Sequence, residues 1–235
     1  PYNYTLAYQQ ATKGKPLVSP LYYAFPKDQS VHHIEDQYMW GENMMVVPIT
    51  DKGVTTKTCI LPEGKWYLMN FNQSTQEKPL EKSVTVQASI EKPILFVKSG
   101  SFIPIIDKMG TSSEDFTTDT LTVHYYFDSR NTTYNMFDDN GWSKSSLKKE
   151  NYELLTFSAV PKDDNVTIKV LYRKGKNFFK RKQARHIKFV IHGNNDLVNY
   201  QEIARNGKNP KKTLQNHCFS IDMVNKHIGV ILSKN

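Results

Sequence analysis

Cysteine is nearly missing: 235 residues hold only Cys59 and Cys218. They lie far apart and fit neither a CxxC pair nor a zinc spacing. A disulfide-stapled scaffold is excluded. One disulfide or two buried free thiols remain, and the thiols are the plainer reading. Long apolar runs are also missing. None approaches the ~18 residues of a membrane span, so no membrane partner is expected. No Walker loop, GxGxxG, GxSxG elbow or locally supported Cys–His pair occurs, which removes the usual signatures of nucleotide binding and of serine or cysteine nucleophiles. There is no repeat of fixed period and no low-complexity tract. No leader is read at residue 1; in a fragment this is silent about export. The compartment stays open, with the periplasm and secretion both compatible.

Acidic residues are outnumbered, 23 against 31 basic, giving a net charge of +8. Such a charge speaks to solubility and association rather than to fold. Hydrophobic residues make up 38% and charged residues 23%, the balance of a globular chain of one large domain or two smaller ones. Tyrosine (13) and phenylalanine (12) are plentiful. Aromatic side chains pack well on pleated surfaces, so a β-rich architecture is expected.

The first segment carries helix punctuation. Pro1 suits a first-turn position, where a missing N–H costs nothing. Tyr4, Ala7, Tyr8 and Ala11 recur at i, i+3, i+4, i+7 and predict one apolar face. Gly14 can take a left-handed cap, and Pro16 blocks continuation. "PLVSPLYYAF" (16–25) follows as a nearly continuous apolar run, the pattern of a strand buried on both faces in a parallel sheet.

From Asp36 short apolar runs recur about every ten residues, separated by Gly, Pro and Asn. Pro62-Glu63-Gly64 marks a turn between two strands. This rhythm predicts an antiparallel sandwich or barrel. Residues 107–119, "DKMGTSSEDFTTD", form a polar linker or long loop. A second β-rich stretch follows. "TLTVHYYF" and "NVTIKVLY" alternate for much of their length, which predicts sheets with one solvated face.

Four constellations bear on chemistry. His32, His33, Glu35 and Asp36 have ligand-type side chains, but adjacent side chains diverge on either a helix or a strand; a polar loop is the better reading, and no metal is expected. "RKGKNFFKRKQARH" (173–186) interleaves basic and aromatic residues, as single-stranded nucleic-acid sites do. No nucleic-acid-binding motif accompanies it, so a protruding hairpin is favoured and no nucleic-acid partner is expected. "FDDNGWS" (137–143) lacks the acid spacing of a calcium loop, while Asn140-Gly141 is a strong hairpin-turn signal. Sequons stand at Asn3, Asn72, Asn131 and Asn165, acceptors only in a protein exported by a eukaryote.

Three stretches carry a resemblance: "PYNYTLAYQQATKGKPLVSPLYYAFPKD", "DQYMWGENMMVVPITDKGVTTKTCILPEGKWYLMNFN" and "KPILFVKSGSFIPI". In this order and near this spacing they resemble the C-terminal part of glycoside hydrolase family 31, the α-glucosidase and α-xylosidase family. More loosely, "MFDDNGWSKSSLKKENYELLTFS" is similar to the family's Asp-Asp-Gly pattern, with "SSLKKENYELL" where the family carries a tidier Tyr-x-x-Gly.

The resemblance implies a mainly β fold: two antiparallel β-sandwich domains preceded by the last helix-strand remnant of a (β/α)8 barrel. Residues 1–40 would end the catalytic barrel, with Leu17–Phe25 as its eighth strand. Residues 41–108 would form the proximal C-terminal β-sandwich, and residues 117–235 the distal one. It further implies a retaining α-glycosidase whose nucleophile and acid are both aspartates, the nucleophile within a "WxDMNE"-like motif. No such motif occurs here, so no catalytic residue is assigned and the chain is expected to be inactive alone, in a structural role. No cofactor is implied. The oligosaccharide substrate would be held by the barrel upstream. The family's "RPL" is here Ser19-Pro20-Leu21, so the usual ion pair of that arginine is missing or replaced, which puts in doubt how close the substrate pocket is to the family's typical one. Tyr22, Tyr23 and Phe25 would be substrate-proximal at the end of that strand, with core packing as the alternative. Without its barrel, segment 1–40 is expected to fold back, fray, or mediate self-association. A non-catalytic carbohydrate-binding sandwich is the alternative function.

Overall fold

The computed structural model describes residues 1–69, 78–106, 116–178, 184–204, 207–208, 212–215, 217–223 and 228–234. Sequon Asn72, the linker core 107–115 and the tip of the basic run, 179–183, lie outside the described residues.

Helix α1 (Tyr2–Lys13) opens the chain and ends on Gly14 at φ 68, whose N–H donates to the Gln10 carbonyl. Start and stop are as the punctuation predicts, but the buried face is not. Tyr2, Thr5 and Leu6 are buried, while Tyr4, Ala7 and Ala11 face outward. The alternative i, i+3, i+4 set wins because it puts a larger apolar side chain, Leu6, beneath the helix and leaves two alanines outside.

The run 16–25 does not form a continuous buried strand. It gives the short strand β1 (Val18–Pro20) and one helical turn, α2 (Leu21–Ala24). Pro20, extended at φ −64 and ψ 155, starts that turn; Pro26 follows it. A proline lacks the N–H a central strand needs and is tolerated at a sheet edge. β1 is indeed an edge strand, antiparallel to β2 (Tyr38–Trp40) with Val18 opposite Trp40. A 3₁₀ turn, Gln29–Val31, lies between them; it begins at Asp28, whose side chain accepts from the Ser30 N–H.

The first sandwich pairs two sheets. One has the order β1-β2-β3-β7-β5, with β3 (Met44–Val47), β5 (Trp66–Leu68) and β7 (Ile94–Lys98); the other pairs β4 (Thr56–Ile60) with β6 (Ser83–Gln87). Leu21, Met45, Cys59, Trp66 and Phe96 fill the core between them. Alternate residues Met44, Tyr67 and Val97 point the other way, into a second and larger core. That is why β3 is buried throughout. Pro62-Glu63-Gly64 does lie between β4 and β5, but these belong to different sheets.

The second sandwich faces β10 (Thr132–Asp139), β11 (Tyr152–Lys162), β12 (Asn165–Lys174), β14 (Asn199–Ala204), β15 (Gly207–Lys208), β16 (Lys212–Thr213) and β18 (Ile228–Ser233) against a sheet ordered β17-β13-β9-β8. The latter comprises β8 (Phe102–Ile105), β9 (Thr120–Tyr126), β13 (Arg185–His192) and β17 (Cys218–Met223). β12 alternates as predicted. β9 does not: Leu121 to Tyr126 are all buried. It is a central strand, parallel to β13 and antiparallel to β8, and α1 contacts the same sheet's β8. The Asn140-Gly141 turn does not close a two-residue hairpin either. Residues 140–151 connect β10 to β11, and Gly141 has φ 71.

α1 ties the two sandwiches together. Tyr8 stacks on Phe137 at 4.2 Å between ring centroids, and the Phe137 N–H donates to Thr5 Oγ1 at 3.1 Å. On the other side the Tyr2 hydroxyl donates to the Trp40 carbonyl at 2.8 Å. Gly41, at φ 66, lies beneath the helix; a Cβ there would come 2.6 Å from Tyr2 Oη and 2.7 Å from Leu6 Cδ2. Only glycine combines this backbone angle with so close an approach.

Candidate functional site

A cavity of about 780 Å³ opens at the N-terminal end of α1. Its floor is aliphatic and thioether surface: Met44, Met69, Ile103 and Ile105. Phe116 and Trp142 stand at the rim, Trp142 with 68% of its surface exposed. The polar end is built by the turn after β10. Asp139 Oδ1 accepts from the Gly141 N–H at 2.7 Å and from the Tyr4 hydroxyl at 2.6 Å. Asn140 Oδ1 accepts from the Trp142 and Ser143 N–H groups. These local bonds project Trp142 outward. Burial and the bond to Asp139 both push the Tyr4 phenol upward, so Tyr4 acts as a neutral donor.

Asp138 turns inward. Its Oδ2 accepts from Arg185 Nη2 at 2.9 Å and from the Thr118 hydroxyl. Arg185, 1% exposed, also donates to Glu153, 0% exposed, and its Nε donates to the Thr118 carbonyl at 2.9 Å. Asp138 and Glu153 face each other across β10 and β11. Like charges so placed repel. The guanidinium from the facing sheet neutralises part of that charge and joins the two sheets.

The residues singled out from sequence scatter. Tyr22 and Tyr23 lie on α2 rather than on a strand and are 54% and 61% exposed. Phe25 is half-buried against Trp66, at 6.1 Å between centroids, with Lys98 Nζ over its ring. Thus core packing holds for Phe25 and not for the two tyrosines, and none of the three lines the cavity. His32 and His33 are exposed, and Asp36 pairs with Lys57. Among the described residues no group of three or more His, Cys, Asp or Glu gathers as a metal-ligand set. Both cysteines are free, and burial pushes the Cys59 thiol up to about 11, far from a reactive thiolate. Among the described residues no helix is long and apolar enough to cross a membrane.

Sequence reasoning missed Arg185 because it closes a basic run. Its period-two register with Ile187, Phe189 and Ile191, all buried, was the available signal. It also missed the buried pair His124 and His192, whose Nδ1 and Nε2 lie 2.8 Å apart.

Residues 14–103 match the family model described as Glycosyl hydrolase family 31 C-terminal domain. These residues are similar to that domain. A Saccharolobus solfataricus alpha-glucosidase is 39% identical over 105 residues, covering 45% of this chain and 14% of that protein. A Sporosarcina globispora isomaltosyltransferase is 29% identical over 160 residues, covering 66% of this chain and 14% of that protein. Among solved structures, a family 31 dextranase from Flavobacterium johnsoniae superposes with a TM-score of 0.80 at 20% identity, over 99% of this chain and 31% of that one. A family 31 alpha-xylosidase from Xanthomonas citri gives 0.69 at 21% identity, over 96% and 22%. The fold of the family 31 C-terminal region therefore extends through the second sandwich, beyond the matched residues. The chain spans between 11 and 20% of the length of the curated relatives it matches.

Proposed function

We propose that this chain is the C-terminal portion of a retaining α-glycosidase of the α-glucosidase type, acting on α-glycosidic bonds in oligosaccharides, and that this portion is itself inactive and serves as scaffold. The observation that carries the reading is the family 31 match over residues 14–103, extended by the fold likeness over 99% of the chain. In this reading residues 1–40 adjoin the catalytic barrel, with β1 and β2 pairing into the proximal sandwich; 41–108 and 117–235 carry the proximal and distal sandwiches, with β8 pairing into the distal one; and Tyr22 and Tyr23 are the side chains nearest the substrate.

The carboxylates support inactivity. A retaining site needs two carboxyl groups about 5–5.5 Å apart, one of them able to donate a proton to the leaving oxygen. Asp138 is committed to Arg185 and Thr118, Glu153 lies in the core, and Asp139 is held by Tyr4 and Gly141. None of these is free to give up a proton to a sugar. The test is the stereochemistry of the whole gene product: NMR of the first sugar released from an α-glucoside should show the α-anomer. Release of the β-anomer, or no turnover of any α-glucoside or α-xyloside, would refute the reading.

A further inference from the structure

We propose that the exposed turn after β10 is a site of covalent self-modification, in which the backbone nitrogen of Gly141 displaces the side-chain amide of Asn140 and leaves an aspartate or isoaspartate at position 140. This chemistry belongs to the turn alone and is independent of the glycosidase reading.

The turn assembles the parts that such a reaction needs. The nucleophile is the Gly141 nitrogen. Its N–H donates to Asp139 Oδ1 at 2.7 Å, so a carboxylate stands ready to take the proton as general base. The Tyr4 hydroxyl donates to the same oxygen at 2.6 Å and fixes the carboxylate in place. The electrophile is Asn140 Cγ. Its oxygen, Oδ1, accepts from the Trp142 N–H at 3.2 Å and from the Ser143 N–H at 3.1 Å. Backbone donors so aimed polarise the carbonyl and stabilise the negative charge that grows on its oxygen under attack. Glycine brings no Cβ to crowd the new ring, and where a Cβ would stand nothing among the described residues lies within 4 Å.

The bonds and protons balance. Gly141 N bonds to Asn140 Cγ and gives its proton to Asp139. The Cγ–Nδ2 bond breaks, and the amide nitrogen takes that proton and leaves as ammonia. Asn140 is exposed, so the ammonia departs into water. Water then opens the cyclic imide at either carbonyl. One opening gives aspartate; the other gives isoaspartate, which puts an extra methylene into the backbone. Either product sets a second carboxylate beside Asp139, in the turn that projects Trp142.

Peptide mapping by mass spectrometry, on the whole gene product stored folded at neutral pH, tests this. The peptide holding Asn140 should gain the mass of an amide turned into an acid, and part of it should become a substrate for an isoaspartate-specific methyltransferase. Asp139→Ser keeps an acceptor for the Gly141 N–H but removes the base. It should slow the change several-fold in the folded protein and leave the rate unaltered in urea, where no neighbour is in place. The same dipeptide at Asn206-Gly207 serves as an internal clock. Asn140 unchanged while Asn206 converts would overturn the proposal, as would equal rates for Asp139→Ser and the parent in the folded state. A slowing that persists equally in urea would reduce the effect to one of neighbouring sequence and overturn the assembled site.

Discussion

Asp138 and Glu153 stand directly opposite each other on adjacent strands of one sheet, and Arg185, reaching across from the other sheet, donates to both. All three are buried. Removing the cation leaves two carboxylates facing each other out of water, a loss of about 3–5 kcal/mol for a broken buried pair. Arg185→Met should therefore lower the urea midpoint of the second sandwich steeply. A midpoint within error of the parent would show that the network contributes nothing.

Gly41 should tolerate no side chain. Its positive φ alone costs a non-glycine residue about 1–2 kcal/mol, and a Cβ would collide with Tyr2 and Leu6. Gly41→Ala is expected to loosen α1. Amide exchange of Tyr8 to Lys13 should quicken before the strands are affected, and unchanged protection would contradict the packing described.

Stability should fall on mild acidification. Burial, and then the neighbouring His124, pull His192 from 6.5 down to about 3. The unfolded chain takes up its proton first, so stability is full above about pH 6.5 and declines as pH falls towards 3. One proton gives at most about 1.4 kcal/mol per pH unit, or about 2 kcal/mol between pH 6.5 and 5. Urea titrations at pH 7 and pH 5 should show that difference, and His192→Gln should remove most of it. An undiminished pH dependence in the variant would assign the effect elsewhere.

Val18, Tyr22, Tyr23 and Tyr38 are exposed on β1, α2 and β2. We propose that this patch drives self-association of the isolated chain. Light scattering coupled to size exclusion should show a concentration-dependent dimer that Tyr22→Ser with Tyr23→Ser abolishes. A monomer at all concentrations would remove the patch from the account.

Much of the fold is written locally. The Gly14 cap and the alternation of β12 both follow from near-neighbour patterns, and the structure keeps them. The failures share one cause, that partners distant in sequence decide. β9 reads as half-solvated because Thr120, Thr122 and His124 are polar, yet strands on both sides and a facing sheet bury the latter two. Arg185 reads as part of a solvated charge run because its two carboxylates lie 47 and 32 positions away. In 16–25 hydrophobicity suggests a strand, while Pro20 and Pro26 confine the ladder to three residues. The cavity draws on the chain start, β8 and the turn after β10, so no single spacing encodes it.

The central proposal is that any glycosidase chemistry of the whole gene product lies outside these 235 residues. Purified chain, incubated with para-nitrophenyl α-glucoside and α-xyloside, tests it most directly. The account predicts no release of nitrophenol above a buffer blank at any pH from 4 to 8. Turnover that survives repurification and is abolished by Asp138→Asn or Asp139→Asn would contradict it.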